Sequence, residues 1–229
     1  MKTIGLIGGM SWESTTTYYQ LINREVQKRL GGLHSAKIAM ISLDFAEPAE
    51  LARTSQWDAL ATLLTEAAQR LERVGAGVLL ICANTAHRVA DRIEQAVALP
   101  LPHICDCTAR QVKAEGCSRV ALLGTRYTME EDFYKDRLSA NGLEVIVPDA
   151  ADRAVIHRMI LEELVLGKIE AKSRQACREI IARQVAEGAE GVVLGCTELP
   201  MLVNAKDSAV PLFDTTALHA LAAVDLALA

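Results

Sequence analysis

Short apolar runs of strand length alternate with helical stretches along the whole 229-residue chain, and this alternation constrains the fold more than any other feature. The runs are continuously apolar, as expected for strands that are buried on both faces of a parallel sheet. The stretches between them carry helical periodicity and good helix formers. The pattern predicts an α/β fold with right-handed crossovers. The predicted strands are residues 3–8, 37–43, 77–83, 102–104, 119–124, 144–148, 191–195 and 210–213, and the main predicted helices are 12–30, 57–74, 151–166 and 171–187.

A weak internal repeat indicates that the chain consists of two related lobes. The segment GLIGGMSWEST, from Gly5, is echoed by ALLGTRYTMEE, from Ala121, and GVLLICANTAH, from Gly77, is echoed by GVVLGCTELP, from Gly191. A third pair, DCTA and DTTA, follows in the same order. We therefore expect residues 1–105 to form the first lobe and 106–209 the second, with a last helix, 215–229, that packs back on the first.

Ligands of open α/β sheets bind beyond the carboxyl ends of the strands, where all of these repeated motifs fall. The sequence therefore predicts an active site in the cleft between the two lobes.

Composition argues against several classes of partner. The formal net charge is -5 and the pI is near 5.6, so there is no basic field for nucleic acid or an anionic membrane. No run reaches the roughly 18 apolar residues of a membrane span, and the first residues lack the long apolar region of a signal peptide. We expect a cytoplasmic protein whose six cysteines are reduced thiols.

Cys196 is the strongest candidate for chemistry, because it stands between the end of a predicted strand and the start of a predicted helix. The positive end of the helix and free backbone N–H groups are expected to lower the thiol pKa toward neutrality. Glu198 could orient or polarise this thiol. The alternative is a buried cysteine that packs as a small hydrophobic residue.

Hydroxyl and amide side chains follow other strands at the same edge of the predicted sheets. They could bind a carboxylate beside helix N-termini, or they could cap those helices. These residues are Asn84, Thr85, Thr125, Thr128 and Thr197.

Other signals are weaker. His87 could carry a proton, but a partly buried structural role is favoured. The pair Cys105-x-Cys107 lacks the second pair of ligands that a zinc site needs, so no metal is expected. The chain has no G-x-G-x-x-G, no phosphate-binding G-x-x-x-x-G-K-[ST] and no G-x-S-x-G, which counts against nucleotide use and serine hydrolase chemistry.

The motifs GGMSWEST, CANTAH, LLGTRYT and GCTE together resemble the aspartate/glutamate racemase superfamily, and especially its bacterial L-aspartate/glutamate-specific branch. The resemblance covers essentially the whole chain. It implies two Rossmann-like lobes with pseudo-twofold symmetry, an amino-acid substrate between them, no cofactor, and a homodimer.

The resemblance also implies a pair of acid/base positions, one on each face of the substrate. The second of them matches Cys196, whereas the first matches Ala83. Cys82 is one residue too early and should face the other side of its strand. An alanine cannot relay a proton, so a water or a nearby group replaces it, the residue was altered, or two-way racemisation is poor.

The resemblance further implies which residues contact the substrate. Asn84, Thr85 and Thr197 are expected to hold the carbanion intermediate. The positions of an arginine and a lysine that would bind a side-chain carboxylate match Glu50 and Val165, so Arg53 is the candidate substitute, unless it is an ordinary surface arginine. The remaining expected substrate-binding residues are Met10, Thr125, Thr128 and Glu198.

Two alternatives to an L-aspartate/L-glutamate racemase stay open. A single cysteine opposite a small residue is the arrangement of the cofactor-free arylmalonate decarboxylases of the same superfamily. A non-catalytic protein that binds a dicarboxylate is the other alternative, in which Ala83 would mark lost activity.

Overall fold

The computed structural model describes residues 1–229, and the chain divides into two compact units. The first unit contains Met1–His103 together with His219–Ala229, and the second contains Ile104–Leu218. The expected lobes, 1–105 and 106–209, differ from these units at their edges. Ile104 and Cys105 already lie in the first turn of a helix of the second unit, and residues 210–218 also belong to that unit.

Strands and helices alternate along the chain. The strands are β1 (Thr3–Gly8), β2 (Ile38–Ser42), β3 (Ala76–Ile81), β4 (Arg119–Gly124), β5 (Glu144–Ile146), β6 (Gly191–Gly195) and β7 (Leu212–Asp214). The α-helices are α1 (Trp12–Leu30), α2 (Ala46–Arg53), α3 (Trp57–Arg73), α4 (Ala90–Glu94), α5 (Ile104–Ala114), α6 (Arg126–Glu130), α7 (Asp132–Ala140), α8 (Ala150–Glu162), α9 (Ala171–Ala186), α10 (Leu199–Leu202) and α11 (Thr215–Leu228). Short 3₁₀ helices cover Thr85–Val89, Leu164–Leu166 and Ala205–Asp207. None of the helices combines the length and the apolarity that crossing a membrane would require.

Each unit contains one parallel sheet with helices on both faces. The strand order is β2-β1-β3 in the first unit and β5-β4-β6-β7 in the second, and every neighbouring pair is parallel. This confirms the predicted α/β class with two parallel sheets.

The predicted strand at residues 102–104 was wrong. Leu101–His103 is irregular and Ile104 already begins α5. Pro102 has no N–H to donate to a neighbouring strand, so it cannot continue the pairing that Leu79 N–H starts with the carbonyl of Pro100, at 2.9 Å. The first sheet therefore has three strands, whereas β7 gives the second sheet a fourth.

Alternate side chains of β3 point to opposite faces of the first sheet, and both faces are buried. Leu79 and Ile81 pack with α3, whereas Val78 and Leu80 pack with buried side chains of α1 and α11. Ala83 continues the first of these faces. Such burial on both faces explains why the strands of this chain are continuously apolar.

Two glycines allow the central strands of the second sheet to approach each other at their carboxyl ends. Gly124 of β4 lies opposite Gly195 of β6, and a Cβ atom at Gly124 would lie 2.7 Å from the Gly195 carbonyl oxygen. A Cβ at Gly195 would in turn lie 2.8 Å from a methyl group of Leu122. The residues that follow these two glycines are therefore held close to each other.

We predict that Gly124→Ala destabilises the protein, because the new methyl group would meet backbone rather than a movable side chain. The expected loss is about 1–3 kcal/mol of unfolding free energy, measured by urea denaturation. Ser139→Ala, on the exposed face of α7, is the control and should change stability by less than about 0.5 kcal/mol. Equal midpoints for the two variants would contradict the close approach.

Candidate active site

A thiol and a carboxylate form a buried pair directly after β6. Cys196 is 5% exposed and Glu198 is 3% exposed. The Cys196 thiol donates a hydrogen bond to Glu198 Oε2 at 3.0 Å, and the Thr197 hydroxyl donates to the same oxygen at 2.8 Å. Glu198 makes no side-chain cap of α10. The arrangement provides a proton donor and an acceptor in direct contact.

The expectation that the Cys196 pKa is lowered toward neutrality was wrong. Burial raises the pKa of this thiol well above its ordinary value, and the negative charge and hydrogen bond of Glu198 raise it further. The backbone N–H groups of Glu198 and Leu199 act in the opposite direction, but α10 has only four residues and its end does not outweigh these effects. Cys196 is therefore a thiol, not a thiolate, in the free protein at neutral pH.

The hydroxyls that follow β4 form a second polar group in the same unit. Thr125 Oγ1 lies 3.2 Å from Thr128 Oγ1, and Thr128 is fully buried. Thr125 occupies the N-cap position of α6, but its side chain makes no capping hydrogen bond. Helix capping therefore does not explain this residue. Because β4 and β6 are neighbours and Gly124 is paired with Gly195, the threonine pair and the thiol–carboxylate pair both follow the carboxyl ends of adjacent strands.

The first unit carries the corresponding residues after β3. Ala83 is 8% exposed and Asn84 is 3% exposed, while Thr85 is partly exposed and begins a 3₁₀ helix. Asn84 is the N-cap residue of this helix but makes no side-chain capping bond. Cys82 packs in the apolar cluster on the opposite side of the sheet from Ala83, which confirms the expected alternation.

Met10 belongs to the same apolar cluster as Ala83 and is 6% exposed. The chain reaches it through Gly9, whose φ of +86° and tight approach to Leu43 admit no side chain. A Cβ atom on Gly9 would lie 2.2 Å from the Leu43 carbonyl oxygen. The glycine pair of the GGM motif thus sets the path of the chain between β1 and α1.

Arg53 already has a carboxylate partner. Its Nε and Nη2 donate to the two oxygens of Glu50 at 2.7 and 2.6 Å, and hydrogen bonding from Arg53 lowers the pKa of Glu50. Both side chains are more than half exposed. Val165, at the other position where a cation was expected, packs against the apolar core of the second unit. Neither of the two positions therefore carries a cation, and the charge of the nearby Arg53 is paired with that of Glu50.

Three of the remaining cysteines are buried thiols of raised pKa. None of the six cysteines forms a disulfide bond, and no group of three or more His, Cys, Asp or Glu residues could hold a metal ion. Burial raises the pKa of Cys82 and Cys105 and raises that of Cys177 to about 12. Each of these three packs as an apolar residue within a core cluster.

The sequence analysis missed two sets of side-chain contacts. His87 contacts His103 and His219, which are far apart in the chain and were not singled out. The pairing of Arg53 with Glu50 was also not anticipated, although a spacing of three residues on a helix is a signal for such a pair.

Comparison with known proteins shows a match over nearly the entire chain. The model of the Asp/Glu/hydantoin racemase family matches residues 7–223. The broad specificity amino-acid racemase RacX of Bacillus subtilis is 25% identical over 227 residues, which cover 99% of this chain and 98% of RacX.

Two solved structures resemble the whole chain closely. A candidate Asp/Glu racemase from Yersinia pestis is 53% identical with a TM-score of 0.93, and both chains are covered completely. An aspartate racemase homologue from Pyrococcus horikoshii is 35% identical with a TM-score of 0.87, again over 100% of each chain.

We predict that Glu198→Gln makes Cys196 more reactive toward iodoacetamide. Removal of the negative charge beside the thiol should lower its pKa, and each unit of lowering gives about tenfold more thiolate at pH 8. The alkylation rate of the Cys196 peptide, followed by mass spectrometry, measures this change. Glu162→Gln, at an exposed position of α8, is the control. A rate in Glu198→Gln that equals or falls below that of the wild type would contradict the assigned role of Glu198.

Proposed function

Because the chain belongs to the Asp/Glu/hydantoin racemase family, we propose that it is a cofactor-independent racemase that acts on L-aspartate and L-glutamate. The single observation that carries this proposal is the buried contact between the Cys196 thiol and the Glu198 carboxylate. A thiol must lose its proton before it can act as a base, and Glu198 is the acceptor in direct contact with it.

In the proposed reaction the thiol proton moves to Glu198, and the Cys196 thiolate then takes the α-proton of the L-amino acid. The electron pair of the broken C–H bond remains on the substrate as a carbanion that is delocalised into its carboxylate. Hydrogen-bond donors that face this developing charge stabilise it, and removal of one such donor typically slows an enzyme by about 100- to 1,000-fold. Asn84, Thr85 and Thr197 are the proposed donors.

Inversion of the stereocentre requires a second acid on the opposite face of the carbanion. The family resemblance assigns the position of this acid to Ala83, whose methyl group has no proton to give. We propose that a water molecule delivers this proton and that the proton held by Glu198 then neutralises the hydroxide that remains. Proton exchange at the α-carbon should therefore be faster than inversion.

The substrate class follows from the family, and the proposed choice within it is a dicarboxylic amino acid bound through Arg53. Glu50 competes with the substrate for this arginine, because it accepts hydrogen bonds from Nε and Nη2, which together form one edge of the guanidinium. Met10, Thr125 and Thr128 are proposed to line the rest of the substrate site. We further propose that the protein acts as a homodimer in the cytoplasm.

A cofactor-free decarboxylase is the second candidate, because Cys196 has no cysteine counterpart at residue 83. Such an enzyme protonates a carbanion on one face only and needs one acid. Release of carbon dioxide from a disubstituted malonate, without exchange on amino acids, would favour it.

We predict that L-glutamate and L-aspartate exchange their α-protons for deuterium when they are incubated with the protein in deuterium oxide, as followed by proton NMR and optical rotation. Cys196→Ser should reduce exchange by about 100- to 10,000-fold, which is the usual contribution of a general acid or base. Cys117→Ser, at a cysteine in the same unit that takes no part in the proposed reaction, should retain the wild-type rate. L-Alanine and L-lysine test the preference for dicarboxylates. No exchange on any of the four amino acids would refute the proposal.

We also predict that Ala83→Cys raises the ratio of inversion to exchange, because it supplies a second acid at the position that the family resemblance assigns to one. Ala83→Ser is the matched control, since a hydroxyl of similar size is a far weaker acid than a thiol. Chiral chromatography of the products at early times measures the D-enantiomer, and NMR measures total exchange. An unchanged ratio in Ala83→Cys would show that residue 83 does not face the carbanion.

A further inference from the structure

Three of the five histidines meet in the core of the first unit. The ring centroid of His87 lies 4.7 Å from that of His103 and 5.2 Å from that of His219, with edge-to-face geometry in both pairs. The three side chains are 3%, 8% and 0% exposed, respectively. Burial of a polar ring costs free energy unless its nitrogens are hydrogen-bonded, so the burial of each histidine calls for a structural or functional explanation.

The partners of His219 define its protonation state. Its Nε2 lies 2.8 Å from the carbonyl oxygen of Pro102, which can only accept, so Nε2 carries the proton. Its Nδ1 lies 2.9 Å from the hydroxyl of Tyr18, which therefore donates to it. Burial lowers the pKa of His219 well below its usual value, and His87 lowers it further. His219 is thus a neutral ring with a fixed tautomer and a fixed orientation.

The same reasoning applies to the Nδ1 atom of His87. It lies 2.8 Å from the carbonyl oxygen of Ala83, so His87 carries a proton on Nδ1 and donates it there. The backbone N–H of His87 also donates to the carbonyl of Asn84, at 3.1 Å. His87 therefore makes two hydrogen bonds to the segment after β3, one from its backbone N–H and one from its ring.

This ring contact has a geometric consequence for the residues proposed to bind the substrate. The peptide that joins Ala83 to Asn84 is planar, and in a trans peptide the C=O and N–H groups point in opposite directions. When the Ala83 carbonyl is held toward His87, the N–H of Asn84 is held away from it. The orientation of one backbone donor is thereby fixed together with the start of the Thr85–Val89 helix.

We propose that His87 is a positioning residue whose Nδ1–H, held toward the Ala83 carbonyl by its packing against His103 and His219, orients the Asn84–Thr85 segment toward the substrate carboxylate. This inference rests on the proposed function, because it names what aligns the donors of that site. His87 itself touches neither the substrate nor the reacting atoms.

The places of the two partner histidines in the chain support this role. His103 is the last residue of the first unit before the chain enters the second, and His219 is the first residue after it returns. Both rings pack against His87, and Tyr18 from α1 packs against His219 in turn, so side chains from separate parts of the sequence meet in this cluster. Closing the turn after β3 needs only the backbone hydrogen bond of His87, so it does not by itself require a ring donor that is packed against two other histidines.

The decisive comparison is between His87→Asn and His87→Leu. The asparagine amide can donate from a position close to that of Nδ1, whereas leucine has a similar size and no donor. His87→Leu should lower kcat/KM for L-glutamate exchange by about tenfold, because the donors of the Asn84–Thr85 segment then align less well with the charge that develops on the substrate carboxylate. His87→Asn should restore kcat/KM to within about twofold of the wild type. His34→Asn, at an exposed position, is the control.

Stability and alignment are separated by measuring the urea unfolding of each variant. If His87→Leu loses stability while its kcat/KM stays at the wild-type value, the histidine is structural only and the proposal is wrong. If His87→Asn fails to restore kcat/KM, the Nδ1–H contact is not what positions the segment, and the proposal is equally wrong.

Two NMR readouts keep this test independent of turnover. Long-range proton–nitrogen spectra should show the Nδ1–H tautomer for His87 and the Nε2–H tautomer for His219, and the opposite tautomer at His87 would overturn the proposal. Titration with L-glutamate should shift the backbone amide of Asn84 in the wild type at lower concentrations than in His87→Leu. If the wild type shows this shift but no exchange, the proposed racemase activity fails while the positioning role survives. Equal titration curves for the two proteins would overturn that role.

Discussion

Parallel strands buried on both faces are the constraint on which the rest of this structure depends. Burial fixes which side chains can point into each core, and the strand ends are where polar residues can follow without being enclosed by apolar layers. Every residue assigned to the candidate site, apart from Met10 and Arg53, stands within a few positions of the end of β3, β4 or β6. The close approach of Gly124 and Gly195 brings two of these ends together and leaves no space for a side chain between them.

Burial also determines the chemistry of the thiol. At an exposed helix N-terminus a cysteine becomes more acidic, but Cys196 is enclosed and lies beside the carboxylate of Glu198, and both effects raise its pKa. The sulfur of Cys196 therefore keeps its proton, and Glu198 Oε2 accepts a hydrogen bond from it. A thiol kept neutral in this way is protected from oxidation and alkylation until the proton moves, since the thiolate is the reactive species.

The two units differ in the residues that follow β3 and β6. The second unit has a thiol–carboxylate pair after its central strand, whereas the first has an alanine whose carbonyl is bonded to a buried histidine. His87 thus fixes a backbone carbonyl in the first unit, whereas in the second unit a carboxylate holds the thiol of Cys196. The proposed function assigns proton transfer to Cys196 and substrate binding to the segment after Ala83.

The sequence by itself determined the α/β class, most strand and helix positions and the repeat, because these depend on local periodicity that the chain displays directly. It also singled out Cys196 and Glu198, which are neighbours along the chain. Only the tertiary structure decided the direction of the Cys196 pKa and the meeting of His87 with His103 and His219. The physical reason is the same in both cases. Desolvation and ring packing depend on which distant segments enclose a side chain, and neither spacing nor composition records that.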